Sequence, residues 1–151
     1  MEYLIRTAAL SDAERIAALE AACFSAPWSL RQIEEEIAKD NAPFFVAVNA
    51  QGVCGYVSAE DICGECYMGN LAVAPDRRRQ RIGFALLQKL MEAAKSRGCV
   101  FLTLEVRESN LSARELYEKC GFSLVGNRKA FYEAPRENAC IYTLYFKEEH
   151  T

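Results

Sequence analysis

Positive charge is concentrated at one point of this 151-residue chain. Four of its twelve arginines fall within five positions, namely Arg77, Arg78, Arg79 and Arg81. They lie between an apolar segment that ends at Val73 and a helical pattern that begins near Gly83. Free N–H groups at a helix N-terminus attract phosphate, and arginines supply paired donors for its oxygens. The pattern therefore predicts an anion site; the alternative is a solvated run of charge at a helix start.

Glu105 stands in a nearly continuous apolar run, residues 100–106. Burying a carboxylate in such a run costs free energy unless the group is paired or functional. Desolvation would also make it a stronger base, suited to removing a proton from a substrate. The alternatives are that Glu105 pairs with Arg107, or that it emerges into solvent at the end of its strand.

Tyr117 lies on the apolar face of a short helical pattern, residues 111–120. A phenol in that place can donate a proton, and the alternative is a core aromatic whose hydroxyl lies at the edge of the core. Asn110 comes directly before the helix, and its position alone would make it a turn or cap residue.

A series of strands and helices must position these groups. Apolar patterns predict seven strands, at residues 3–7, 44–48, 53–59, 65–73, 100–106, 123–126 and 139–146. Helical spacing predicts four helices, two beginning near Ser11 and Ser29 and two covering residues 83–97 and 111–120. Residues 65–106 are predicted to form a parallel β-α-β crossover between antiparallel hairpins. We therefore expect an α/β fold, with a mixed, mostly antiparallel sheet of about seven strands, a central parallel β-α-β unit and about four helices.

The composition excludes several classes of protein. A net charge of −3, with 51% apolar and 26% charged residues, is typical of one globular domain, residues 1–151. No apolar run approaches the ~18 residues of a membrane-spanning helix, and the N-terminus does not resemble a signal peptide. We therefore expect a cytoplasmic protein, and the slight acidity disfavours a general nucleic-acid binder.

The metal-binding residue types are poorly placed for a metal site. The seven cysteines are an odd number, mostly inside apolar segments, and are expected to be reduced thiols. Cys63 and Cys66 have Cys-x-x-Cys spacing, but no second pair completes the set of about four ligands that zinc needs. His150 is the only histidine. We expect no metal cofactor.

The segment Arg78-Arg79-Gln80-Arg81-Ile82-Gly83 resembles the acetyl-CoA loop of the GNAT N-acetyltransferases, usually Gln/Arg-x-x-Gly-x-Gly/Ala. It departs from that pattern at Arg81, whose side chain would either crowd the anion site or contact a phosphate. The resemblance implies that acetyl-CoA is the co-substrate, that the loop backbone binds its pyrophosphate, and that the preceding strand pairs with the pantetheine arm. The implied acetyl-CoA contacts are Leu71, Ala72, Val73, Arg78, Arg79, Gln80, Arg81, Ile82, Gly83, Phe84 and Asn110.

Further motifs resemble the RimI-type branch of this superfamily: Pro27-Trp28-Ser29, Leu104-Glu105-Val106-Arg107-x-x-Asn110 and Leu116-Tyr117-Glu118-Lys119-Cys120-Gly121-Phe122. Enzymes of that branch acetylate the N-terminal alanine of a small-subunit ribosomal protein. The resemblance implies direct attack by the amine, with Glu105 as general base and Tyr117 as general acid. It also implies that Trp28 and Tyr132 border the acceptor groove.

Two other functions stay open from the sequence. An enzyme of the same fold would acetylate a different amine, such as another protein N-terminus, a polyamine or a small molecule. A non-catalytic acyl-CoA-binding module would bind CoA, or RNA in a salt-sensitive way, without turnover. With the leading hypothesis we expect a protein N-terminus as partner, no direct contact with nucleic acid or membrane, and a monomer or weak dimer.

Overall fold

A computed structural model describes residues 2–75 and 81–146 of the chain. Within these residues the strands are β1 (Leu4–Thr7), β2 (Phe44–Asn49), β3 (Gly52–Ile62), β4 (Glu65–Val73), β5 (Phe101–Arg107), β6 (Ser123–Glu133) and β7 (Arg136–Tyr145). The α-helices are α1 (Ala13–Cys23), α2 (Leu30–Ala38), α3 (Ile82–Ser96) and α4 (Leu111–Lys119). The predicted order of strands and helices is confirmed.

The strands form one sheet in the order β1-β2-β3-β4-β5-β7-β6. Neighbouring strands are antiparallel except β4 and β5, which are parallel, as the predicted crossover requires. Glu65–Tyr67 of β4 pairs with Phe101–Thr103 of β5. Within the described residues this pairing stops there, so the carboxyl halves of the two strands separate.

Helices cover the sheet on both faces. One hydrophobic cluster contains Leu86 and Leu90 of α3, which are fully buried, and Phe45 of β2. The neighbouring residue Val46 belongs to a second cluster, in which Ile16 of α1 is fully buried. Successive residues of a strand point to opposite faces, so α3 packs on one face of the sheet and α1 on the other. Among the helices described, none is long and apolar enough to cross a bilayer.

Strand β6 is longer than the predicted strand at residues 123–126, because it continues to Glu133. It lies at the sheet edge, and its pairing with β7 shifts between Leu124 and Gly126 and between Arg128 and Tyr132. An edge strand with such irregularities needs no continuous apolar face. Its second half therefore lacks the alternating pattern from which a strand is predicted.

Candidate active site

A groove of about 830 Å³ lies between the end of β4, the start of α3 and α4. Eight of the predicted acetyl-CoA contacts line it: Leu71, Ala72, Val73, Arg81, Ile82, Gly83, Phe84 and Asn110. The other three, Arg78, Arg79 and Gln80, lie outside the described residues, as does Arg77. The groove therefore brings together every predicted contact that can be described.

The β4 wall of the groove belongs to the half of the strand that has separated from β5. On its opposite side, β3 holds this half by pairing Val57 with Leu71 and Tyr56 with Ala72. The strand is therefore fixed in position independently of any ligand. The separation leaves room beside Leu71 and Ala72 for an extended, amide-bearing molecule, which could add to the strand edge.

Arg81 adopts a backbone conformation that glycine would adopt easily. Its φ of 62° and ψ of 17° place it in the left-handed region, directly before α3 begins at Ile82. The guanidinium lies over the ring of Phe84, with Cζ 4.9 Å from the ring centroid. The backbone geometry expected of the family's glycine is therefore present, and the side chain contacts Phe84.

Gly83 keeps the groove open at the N-terminus of α3. A Cβ atom at this position would come no closer than 3.8 Å to Val73 Cγ2 and 3.9 Å to Leu116 Cδ2, which are ordinary contacts. Packing of the protein alone therefore does not require glycine here. Because Gly83 has no side chain, a phosphate can approach the N–H groups of the first turn of α3. This opening fits the pyrophosphate of CoA.

Glu105 is exposed, so of the three possibilities it emerges into solvent and is neither buried nor paired with Arg107. Leu104 and Val106 point into the core, so Glu105 points away from it on the opposite face of β5. Its Oε1 lies 3.6 Å from Nε of Arg128. The carboxylate is in the separated half of β5, across from the groove wall of β4.

Tyr117 is buried, as its helical position predicts. Its ring centroid lies 5.8 Å from that of Phe122 and 6.1 Å from that of Tyr142. Desolvation is the main cause that raises the pKa of Tyr117 above its ordinary value near 10, and the nearby Tyr132 adds to the effect. The phenol is therefore protonated throughout the neutral and mildly alkaline range.

Asn110 caps α4 and also lines the groove, and both of these roles were predicted. Its Oδ1 accepts a hydrogen bond from the N–H of Ala113 at 3.2 Å, which caps α4. The residue also lines the groove. The cap fixes the residue, so its position in the groove is set by the start of the helix.

A cluster around Arg107 ties the β6–β7 hairpin to the end of β5. Arg107 Nη1 lies 3.2 Å from Glu137 Oε1, so Arg107 pairs with Glu137 and not with Glu105. Glu137 also accepts a hydrogen bond from the N–H of Ser109 at 2.6 Å, and these contacts lower its pKa. The Arg107 guanidinium lies 4.3 Å from the centroid of the Tyr132 ring.

Tyr132 is half-buried and electrostatically linked to Glu105. Desolvation is the main cause that raises its pKa, and the negative charge of Glu105 raises it further. A small cavity of about 280 Å³ on the hairpin is lined by Tyr132, Ala130, Glu133 and Arg136. The residue predicted to border the acceptor therefore lies near the predicted base.

Comparison with known proteins decides the family. The model of the Acetyltransferase (GNAT) family matches residues 13–122, a range that includes the described groove residues, Glu105 and Tyr117. The chain belongs to the GNAT acetyltransferase family. Enzymes of this family transfer an acetyl group from acetyl-CoA.

Several relatives of this acetyltransferase have a named acceptor. The [ribosomal protein bS18]-alanine N-acetyltransferase of Haemophilus influenzae is 35% identical, over 89% of this chain and 92% of that protein. The crystal structure of the ribosomal-protein-S18-alanine N-acetyltransferase from Escherichia coli is 28% identical, with a TM-score of 0.90 over 99% of this chain and 97% of that one. Arabidopsis thaliana NAA60 in complex with acetyl-CoA has the same fold, with a TM-score of 0.89 at 17% identity over 96% of this chain and all of that one.

Five cysteines of this acetyltransferase are free thiols, namely Cys63, Cys66, Cys99, Cys120 and Cys140. Cys63 is exposed and Cys66 is buried, where desolvation raises the pKa of the Cys66 thiol to about 12. Within residues 2–75 and 81–146, no group of three or more His, Cys, Asp or Glu side chains is placed to hold a metal ion.

Sequence reasoning missed Glu20, whose side chain is fully buried beside the site. Its Oε1 accepts a hydrogen bond from the N–H of Trp28 at 2.8 Å, and its Oε2 accepts one from Nδ2 of Asn70 at 2.7 Å. A signal was present, because Glu20 follows Ile16 by four residues and so falls on the apolar face of α1.

Proposed function

We propose that this enzyme acetylates the N-terminal α-amine of a protein, and that its acceptor is the N-terminal alanine of ribosomal protein bS18. The named activity of relatives at 28–35% identity supports this acceptor. The observation that carries the proposal is geometric. Glu105 lies on β5 where that strand has separated from β4, and the groove residues Leu71–Val73 lie on the other side of the same separation.

Acetyl-CoA would occupy the groove between β4, α3 and α4. When bound, it supplies an acetyl thioester, whose carbonyl carbon accepts the amine. The backbone of Leu71–Val73 would pair with the pantetheine arm, and the N-terminus of α3 from Ile82 would hold the pyrophosphate. The N–H of Val73 would polarise the thioester oxygen, and Asn110 would contact the CoA arm or an ordered water. The predicted contacts Arg78, Arg79 and Gln80 would add to the phosphate site.

Glu105 would accept the proton of the attacking amine, directly or through water. An α-amine has a pKa of about 8, so at neutral pH much of it is protonated and cannot attack. Its exposed position suits this role, because the carboxylate can reach a water or an incoming substrate. The nitrogen loses its second proton to solvent as the amide forms, and Glu105 returns the proton that it accepted to solvent between turnovers.

Tyr117 would donate its proton to the sulfur that leaves. The nitrogen–carbon bond forms while the carbon–sulfur bond breaks, and the sulfur accepts the phenolic proton to give the free thiol of CoA. The raised pKa keeps the phenol protonated at neutral pH and also makes it a weaker acid. A solvent proton restores the phenol afterwards.

Trp28 and Tyr132 would border the acceptor. Trp28 packs against β4 at Gly69, and Tyr132 lies on the β6–β7 hairpin under the guanidinium of Arg107. The two aromatic residues thus come from elements on opposite sides of the separated strands. The chain end would enter between these two elements and approach Glu105, whose charge acts on Tyr132.

A panel of acceptors tests the proposal. The enzyme would be incubated with acetyl-CoA and a synthetic peptide carrying the bS18 N-terminus, while release of the CoA thiol is followed. The matched controls are the same peptide with its N-terminus blocked and a polyamine. We expect turnover with the free peptide alone. Robust turnover with the polyamine and none with the peptide would refute the proposed acceptor, and CoA binding without any turnover would refute acetyl transfer by this chain.

A further inference from the structure

Glu20 is a buried carboxylate that the reaction described above does not use. None of its side chain is exposed, and the ion pairs found among the described residues do not include it. Desolvation raises the pKa of Glu20, and its two hydrogen bonds offset part of that effect. A buried carboxylate without a cationic partner costs stability, so a specific use for it is worth seeking.

The two hydrogen bonds of Glu20 connect three elements of the site. The side chain starts from α1 and reaches the backbone of Trp28, immediately before the cap of α2 at Ser29. It also reaches the side chain of Asn70, which lies on β4 just before the groove wall begins at Leu71. One carboxylate therefore holds the loop of residues 25–28 against β4.

Gly69 completes the contact between this loop and β4. A Cβ atom at Gly69 would lie 3.0 Å from Cη2 of Trp28 and 2.8 Å from Oγ of Ser58. The indole ring therefore lies so close to the strand that a Cβ atom at Gly69 would force it to shift by a few tenths of an ångström. The loop position depends on both this close approach and the Glu20 hydrogen bond.

Cys23 and Phe24 also line the groove with Leu71 and Ala72, and none of these four residues is held by the Glu20 carboxylate. Cys23 is the last residue of α1, and the N–H of Phe24 is bonded to the backbone oxygen of Glu20 at 2.9 Å. Leu71 and Ala72 are held by pairing with β3. Loss of the carboxylate would thus release residues 25–28 and leave the acetyl-CoA side in place.

We propose that Glu20 is a positioning residue for the acceptor, because its carboxylate fixes Trp28 against β4 where the acceptor N-terminus binds. The inference rests on the proposed function only in assigning the acceptor to the surface that Trp28 borders. Glu20 contacts neither substrate. It acts through the backbone of Trp28 and the side chain of Asn70.

The test compares Glu20→Ala with Glu14→Ala, which removes an exposed carboxylate from the same helix. Losing a hydrogen bond to a charged group should raise the KM for the peptide about tenfold or more in Glu20→Ala. The KM for acetyl-CoA should change less than about threefold, because the substitution removes no contact on the acetyl-CoA side. Trp28 is the sole tryptophan, so its emission should shift to longer wavelength as the loop moves into water.

Two further variants keep the test decisive. Glu20→Gln retains an acceptor for the Trp28 N–H, and Asn70 can turn its amide to match, so this variant should recover most of the affinity for the peptide. Asn70→Ala should raise the peptide KM in the same direction, and adding it to Glu20→Ala should have little further effect. If Glu20→Ala does not fold, the same criteria apply to Asn70→Ala.

Unchanged peptide KM and unchanged Trp28 emission in the folded variants would overturn the proposal. An equal rise in both KM values, following the loss of thermal stability, would also overturn it, because it would indicate a purely structural role. If wild-type enzyme acetylated no peptide, the proposed function itself would fail. An active wild type with an unaltered Glu20→Ala would refute the positioning role alone.

Discussion

The two sides of the proposed site differ in the groups that they present: mainly backbone on one side and mainly side chains on the other. The proposed acetyl-CoA side consists of the β4 edge, the first turn of α3 and apolar side chains such as Phe84. The proposed acceptor side consists of charged and aromatic side chains, among them the Glu105–Arg128 and Arg107–Glu137 pairs. Backbone recognition tolerates changes of side chain, whereas a site made of side chains does not. We therefore expect substitutions on the acceptor side to have the larger effects.

The largest effect is expected for Glu105→Gln. General-base catalysis is worth about a hundredfold or more, so kcat/KM for the peptide should fall by roughly that factor at pH 7. The loss should shrink as pH rises past the amine pKa of about 8, because the amine then loses its proton without help. Steady-state kinetics across pH measure this.

The matched control for that prediction is Glu65→Gln. Glu65 is an exposed carboxylate on the same face of the sheet, paired in register with Phe101 at the far end of β5. Its substitution should leave kcat/KM unchanged. A pH-independent loss in Glu105→Gln, or an equal loss in both variants, would remove the role assigned to Glu105.

A smaller loss is expected for Tyr117→Phe, with kcat falling about tenfold or somewhat more. A thiolate leaves readily because thiols have a pKa of only about 8.5, so the acid contributes less than the base. Since burial raises the pKa of Tyr117, the wild-type rate should show no decline from loss of this proton between about pH 7 and 10. Acetyl-CoA binding should not change.

Tyr56→Phe is the control for Tyr117. Tyr56 is also fully buried, and within the described residues its hydroxyl has no hydrogen-bond partner. Its substitution should leave kcat unaltered. If Tyr117→Phe had wild-type kcat, or if the wild-type rate fell with an apparent pKa near 8 on the alkaline side, Tyr117 would not be the acid.

Arg107→Ala should raise the KM for the peptide about tenfold and leave the KM for acetyl-CoA nearly unchanged. The reason is that Arg107 holds Glu137 and covers the ring of Tyr132, so the hairpin loses its tie to β5. Arg107→Lys should be intermediate, because lysine keeps the charge without the planar group. Arg31→Ala, at a highly exposed arginine of α2, is the control. A rise in the acetyl-CoA KM instead would contradict the separation of the two sides.

The smallest effect is expected for Arg81→Gly, on the acetyl-CoA side. Relief of about 1 kcal/mol of left-handed backbone strain should be offset by loss of a cation–π contact worth about 0.5–1 kcal/mol. Thermal unfolding should therefore change little, and the KM for acetyl-CoA should change less than about threefold. A large rise in that KM would show that the side chain, and not the backbone, holds the cofactor there.

What could be predicted from the sequence follows the same division. The groove residues near Gly83 were predictable, because a strand end, a loop and a helix start are consecutive in the chain. The alternation of Glu105 with the buried Leu104 and Val106 favours its exposure, whereas the nearly continuous apolar run leaves burial, pairing with Arg107 and exposure open. The Glu20–Asn70 contact joins residues 50 positions apart, so no local pattern predicts it.

The most direct measurement locates the acetyl group on a peptide that offers two amines. A bS18-derived peptide with a free N-terminal alanine and an internal lysine would be acetylated by the wild-type enzyme and fragmented in a mass spectrometer. We predict that the acetyl group is found on the α-amine of the alanine alone. Acetylation of the lysine side chain with the α-amine left free would contradict the proposed function.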